Sequence, residues 1–245
     1  MRRHVSPASF FSPSLIPEIS LIYDAVTPLG FDLDEFATVA QRWVDDILAP
    51  VWGTPARICA RQKTRANAWA LVFVDTEPHA SDDGWHDLTR YHMPMGKVFL
   101  RVLKQEKPPA SVSLAATHEI AEMLVDPGLT LCTQRPSYGV YSLEVADPVE
   151  EEFRTIDGFD MTNFVYPAWY EPFHKRGSTK FDWLDRCSKP FQILPDGYAS
   201  ILRKGRWSDV TLSKRKKKRF AKEDRRGHRT MQRKRAGNLK ESTAG

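Results

Sequence analysis

The segment SVSLAATHEIAEMLVDPG, residues 111–128, carries both a helix and the side chains best suited to chemistry. From Val112 to Val125 it holds neither Pro nor Gly, and Asp126-Pro127-Gly128 then stops it. Proline cannot continue a helix and glycine readily takes the terminal left-handed conformation. On such a helix, residues four apart share a face, so His118 and Glu122 point the same way with head groups within reach of one ion. Glu119 follows directly, rotated about 100° from His118.

Upstream, EISLIYDAV (18–26) reads as a first strand. Phe36, Val39, Ala40, Trp43, Val44, Ile47 and Leu48 fall on helical spacing, with Asp32 or Asp34 as cap and Pro50 just past the end. RICARQ (57–62) and AWALVFVDT (68–76) follow as strands, the second apolar enough for a central position. EPHASDDGWHD (77–87) is expected as a solvated loop; its Glu77, His79, Asp82, Asp83 and His86 form, with His92, a polar cluster that could bind a cation, but the irregular spacing favours the loop. KVFLRVLK (97–104) reads as another strand. Downstream, IDGF (156–159) offers a two-residue Asp-Gly hairpin turn between EEFRTI and FDMTNFVY, and LPDGYASIL (194–202) a second turn leading into a short strand.

The HExxE string at 118–122 sets a Glu where HExxH metallopeptidases carry their second histidine, and a carboxylate oxygen is a competent zinc ligand. Further along, YSLEVADPVE (141–150) presents Glu144 and Asp147. With these residues the chain resembles the gluzincin arrangement of zinc metallopeptidases. The resemblance implies His118 and Glu122 as metal ligands, Glu119 as general base and Glu144 as third ligand. It implies Asp147 as the partner that orients His118, or as an alternative ligand. The implied cofactor is Zn²⁺, and the harder, more anionic donor set also admits Mn²⁺ or Ca²⁺. Asp126 reads more simply as a helix-terminating residue. For an oxyanion donor the available side chains are Tyr166, Tyr170 and His174, each as readily explained as packing. A wider pattern, HEIxExxxDP, then EVxDPVE, Phe164-Val165-Tyr166-Pro167-Ala168-Trp169 and a late GYxxxL, also looks like a group of uncharacterised bacterial and phage proteins over residues 112–207.

Charge divides the chain. Residues 203–245 carry 17 Lys+Arg against 4 Asp+Glu, while the rest is acidic, and the whole has a formal net charge of +5. KRKKKRF (214–220) and the groups after it are too polar to bury a core and suit phosphate contact by counterion release. Cys59, Cys132 and Cys187 are too few and too scattered for a disulfide framework, which fits a reducing compartment. There is no Gly-rich phosphate loop, GxSxG elbow or Cys–His protease signature, so hydrolysis would have to work through metal.

The expectation is therefore an α/β, zincin-like fold. It would have a small mixed sheet of three to four strands, a packing helix, a metal-bearing helix and a β-rich C-terminal part. A flexible leader (1–17) and a disordered basic tail (205–245) would flank a domain at 18–204. The function expected is metal-dependent hydrolysis of a peptide or protein substrate, with nucleic acid or another anionic partner at the tail (203–240). No stretch is apolar enough for a membrane span, and the setting expected is cytoplasmic or inside a phage particle. The alternative is a non-catalytic virion structural or binding protein with a structural or degenerate metal site.

Overall fold

Short runs in which alternate residues are apolar set the frame. In the computed structural model, which describes residues 16–77, 83–106, 110–214 and 216, the chain runs β1 (Glu18–Asp24), α1 (Leu33–Trp43), α2 (Ala49–Trp52), β2 (Arg57–Arg61), β3 (Trp69–Val74), β4 (Gly84–Leu88), β5 (Pro94–Phe99), α3 (Leu100–Gln105) and α4 (Val112–Val125). It continues through β6 (Cys132–Arg135), β7 (Gly139–Ser142), β8 (Phe153–Ile156), β9 (Phe159–Thr162), β10 (Tyr198–Arg203) and β11 (Arg206–Thr211). The fold is mixed α/β.

Among the described residues the first sheet has five strands in the order β2-β1-β3-β5-β4, more than the three to four expected from sequence. All neighbours are parallel except β4, which runs antiparallel to β5 at the edge. Its register sets Ala60, Leu21, Leu71, Gly96 and His86 in one row across the sheet. Cross-strand partners share a face, so that row includes the fully buried Leu21 and Leu71. Phe36, Ala40 and Trp43 of α1, Ile120 of α4 and Phe73 and Val98 of the sheet belong to the same core. Burying each such side chain is worth about 1.5–3 kcal/mol.

Asp32 caps α1 by accepting from the backbone N–H groups of Asp34 and Glu35, both at 2.9 Å. The helix does not stop before Pro50. A π-helical stretch, Val44–Leu48, leads straight into α2, where Pro50 sits in the first turn. Proline lacks the N–H that a continuing helix would donate to its preceding turn, and the wider π-helical turn just before it is where the hydrogen-bond ladder adjusts. Gly53, at φ 70°, ends the run.

Two further expectations are corrected. Residues 84–88 are strand, not loop, and residues 100–105 are helix, so the strand expected at 97–104 is displaced toward the N-terminus, to 94–99. The hairpin at Asp157-Gly158 forms as expected between β8 and β9. It docks on α4 through two hydroxyls one turn apart: Ser113 Oγ accepts from Asp160 N at 2.9 Å and Thr117 Oγ1 from Thr162 N at 3.0 Å. β11 pairs with β10 beyond the boundary expected at 204, in a second sheet ordered β11-β10-β7-β6. The leader before residue 16 and the tail after Lys216 lie outside the described residues. All three cysteines are free thiols. Among the described residues no helix is long and apolar enough to cross a membrane.

Candidate metal centre

The helix α4 is buried along most of its length, and its Ser111 cap accepts from Leu114 N at 3.4 Å. It can lie close on the edge of the sheet because two strand positions facing it carry no side chain. A Cβ on Gly84 would stand 3.0 Å from Glu119 Oε1, and one on Gly96 would stand 3.1 Å from Met123 Sδ. Both glycines thus make room for the helix side chains that accompany the site. From the far side, the turn Asp147–Val149 is backed by Gly197, whose Cβ would fall 2.2 Å from the Pro148 carbonyl oxygen. Any larger residue there would displace Asp147.

These close approaches gather four carboxylates and two imidazoles. His118 Nε2 lies 3.4 Å from Glu122 Oε1 and 3.3 Å from Asp147 Oδ1. On the opposite side of Glu122, its Oε2 lies 3.4 Å from His86 Nδ1, and His86 Nε2 lies 3.4 Å from Glu144 Oε2. Glu119 Oε2 is 3.0 Å from His86 Nδ1. The donors therefore fall into two overlapping sets, His118/Glu122/Asp147 and His86/Glu122/Glu144. Of the sequence candidates, Glu122 and Asp147 join His118, and Glu144 joins a residue that was expected in a solvated loop.

The side chains of Glu119, Glu122, Glu144, Asp147 and His86 are all buried, while His118 keeps 15% of its side-chain surface. His86 Nε2, Glu122 Oε1 and Asp147 Oδ1 are buried and make no hydrogen bond among the described residues. Such atoms cost free energy unless something satisfies them. Protons alone balance the cage as it stands. Burial opposes a charge on His86, yet the carboxylates of Glu144, Glu119 and Glu122 raise its pKa to about 10. Burial likewise opposes a charge on His118, and Glu122 and Asp147 hold it well above its ordinary value. Burial and the Glu122 charge push the Asp147 carboxyl up to about 8.

The donor set fits a small divalent cation. Four ligands at zinc's usual bond lengths stand about 3.3–3.4 Å apart at the corners of a tetrahedron. The His118–Glu122 and His118–Asp147 separations have that value. His118, Glu119 and Gly84 also line a cleft, together with Leu114, Thr162 and Tyr198, so the centre is reached from one side. Glu150 lines it too and pairs with the buried Lys216.

The remaining sequence candidates have other work. Asp126 ends α4 and accepts from Thr130 N and Leu131 N, both at 2.9 Å, in line with its reading as a terminator. Tyr170 donates its hydroxyl to the Glu144 backbone carbonyl at 3.2 Å, which steadies the loop carrying that acid. His174 pairs with Glu171 at 2.7 Å, and the Tyr166 ring packs on Phe164. Glu77 of the expected polar cluster pairs with Lys97, and His79 and Asp82 lie outside the described residues. His86 is the residue of the candidate site that sequence reasoning set aside, as part of a polar cluster read as a solvated loop. The signal for it is the pairing of GWHDL with PMGKVF, which sets His86 opposite Gly96 on the buried face.

The chain matches no protein-family model, and neither a curated protein nor a solved structure is significantly similar to it.

Proposed function

We propose that this chain is a metal-dependent hydrolase of zincin-like type, with His118, Glu122 and Asp147 holding a zinc ion and Glu119 as general base. The observation that carries the reading is the convergence of His118 Nε2, Glu122 Oε1 and Asp147 Oδ1 within 4.8 Å, the two acids at 3.4 and 3.3 Å from the imidazole and buried without a hydrogen bond among the described residues. Bound Zn²⁺ supplies a Lewis acid that polarises a carbonyl and lowers the pKa of water. Glu119 stands where the cage opens into the cleft. His86 holds its Oε2, leaving Oε1 over Gly84 to take the proton of the attacking water.

A peptide bond is the favoured substrate. β4 is an edge strand of the described sheet and starts at the same cleft, a surface suited to an extended backbone. The charge of residues 203–245 supports contact between the tail and nucleic acid or another anionic partner.

Glu119→Gln keeps the shape of the base and removes its basicity. Peptide hydrolysis by the zinc-loaded protein is expected to fall by about 10²–10⁴-fold while bound zinc is retained. Unchanged turnover in that variant would remove Glu119 from the chemistry, and absence of bound zinc in the parent protein would remove the reading altogether.

A further inference from the structure

We propose that the chain binds a second divalent cation, between His86, Glu144 and Glu122, so that the Glu122 carboxylate bridges two ions. This rests on the reading of His118, Glu122 and Asp147 as a metal centre, because the two sets share Glu122. The bridge is visible in how that carboxylate lies. Oε1 lies 3.4 Å from His118 Nε2, whereas Oε2 turns to the other side, 3.4 Å from His86 Nδ1, and Glu122 offers an atom within 4.8 Å of ligand atoms on both His86 and Glu144.

The second set has the features of a ligand site in its own right. His86 is 2% exposed, and its Nδ1 lies within 3.0 Å of Glu119 and 3.4 Å of Glu122, both carboxylates. The proton therefore belongs on Nδ1, donated to Glu119. That directs the lone pair of Nε2 at Glu144 Oε2, 3.4 Å away, and Nε2 has no hydrogen bond. In the metal-free cage a second proton, on Nε2, balances this pair, and a metal ion bound between the two atoms would take that proton's place. A ring that gives one N–H to a carboxylate and offers its other nitrogen to a metal is the usual arrangement of ligating histidines. The 3.4 Å separation again equals the edge of a tetrahedron built on zinc bond lengths, about 3.3–3.4 Å.

Charge counts the ions independently. Glu119, Glu122, Glu144 and Asp147 bring four negative charges into a space from which water is largely removed. With both imidazoles neutral, as metal ligands must be, one dication leaves two of these charges for protons to balance, and a second makes the cage neutral without them. Uncompensated buried charge costs several kcal/mol per ion, so the neutral assembly is favoured. Exposure then assigns the ions different work. The His118 set opens to the cleft and can meet a substrate, while the His86 set is enclosed. The inner ion would hold His86, and through it the orientation of Glu119. Carboxylate-bridged ions about 3.5–4 Å apart are an established arrangement in hydrolytic enzymes generally.

The test is metal stoichiometry on the full chain. After equilibration with Zn²⁺ and removal of excess, elemental analysis is expected to find two ions per chain in the parent, and one in both His86→Ala and the isosteric Glu144→Gln. Circular dichroism would check that each variant folds. With Mn²⁺ in place of zinc, the parent is expected to show the paramagnetic resonance of an exchange-coupled pair, a readout that needs no variant. One ion per chain in the parent, with an uncoupled Mn²⁺ spectrum, overturns the second site and leaves the His118 centre standing. Two ions retained in both variants overturns the assignment to His86 and Glu144. No ion in the parent overturns both readings.

Discussion

Two of the buried acidic centres in this molecule are built on opposite principles. Asp182 is completely enclosed, yet each of its oxygens is satisfied by neutral dipoles. Its Oδ1 accepts from Asn163 Nδ2 at 2.8 Å, Leu184 N at 3.0 Å and Arg186 N at 3.1 Å, and its Oδ2 from Cys187 N at 2.6 Å. The cage around Glu122 crowds four carboxylates together, offers them two imidazoles, and leaves three of its polar atoms without hydrogen bonds among the described residues. Asp182 is an anion the fold has finished with: it organises the chain at 163 and 182–187. In the cage the acids face imidazoles and one another in place of backbone donors, the arrangement of a candidate cation site. Burial of an acid is common to both, and only the supply of donors separates a structural aspartate from a binding centre.

The largest stability effect should come from breaking the satisfied centre. Asp182→Ala strands three donors, Asn163 Nδ2, Arg186 N and Cys187 N, each costing about 1–3 kcal/mol when left unpaired, with partial relief as the loop relaxes, while Leu184 N keeps Asn163 Oδ1 at 3.1 Å. A loss of about 3–5 kcal/mol in urea unfolding is expected, the same with and without zinc. A loss near zero would mean that the backbone N–H groups find water easily and the contrast with the cage is false.

Neutralising the cage should have the opposite sign. In the metal-free protein Asp147 is held in a place that burial and Glu122 make hostile to a carboxylate. Asp147→Asn removes that conflict at constant shape, so the metal-free protein should gain on the order of 1 kcal/mol. The same variant should forfeit the stabilisation that zinc confers on the parent, about 2.7 kcal/mol at a hundredfold excess over Kd. Thermal unfolding of both proteins, with zinc and with chelator, reads both arms. If Asp147→Asn destabilises the metal-free form, the cage is a structural network like that of Asp182.

How much of this was legible in the chain follows from the range of the interactions. Helix α4 was readable with almost its observed ends, because the apolar run and the stop at Asp126-Pro127-Gly128 are local signals. His118, Glu119 and Glu122 came with it, since spacing on a helix is fixed by its pitch. Asp147 and Glu144 were legible as nearby acids, but their division between two imidazoles depends on how the turn at 147–149 leans on Gly197, which no local pattern encodes. His86 was hidden because β4 is only five residues long, follows a polar run, and includes a glycine and two acid-base side chains. Its burial arises from register against β5, where Gly96 leaves the space. β11 escaped for a similar reason: RWSDVT looks like the start of the basic tail, and its pairing with β10 is what makes it a strand.

A third buried acid gives the smallest effect and calibrates the other two. Glu18, at the start of β1, is nearly enclosed, and its oxygens lie 3.1 Å from Arg61 Nε, 3.4 Å from Arg65 and 4.0 Å from Arg57. Burial pushes its carboxyl up, but the hydrogen bond and charge of Arg61, with Arg65 and Arg57, outweigh it and hold the pKa below the usual range. A depressed acid stabilises the fold above its unfolded pKa, and that contribution is lost as pH falls through the folded value. The guanidinium groups are themselves partly or largely exposed, so solvent screens the attraction to about 0.2–1 kcal/mol. Glu18→Gln should therefore cost that little at neutral pH, less still in high salt, and nothing once acid has protonated the parent. Here positive charge already surrounds the carboxylate, so zinc should leave the difference between parent and variant unchanged. A Glu18→Gln penalty as large as that of Asp182→Ala would show that solvent-screened arginines hold a buried acid as firmly as backbone dipoles do, and the ranking of the three centres would fail.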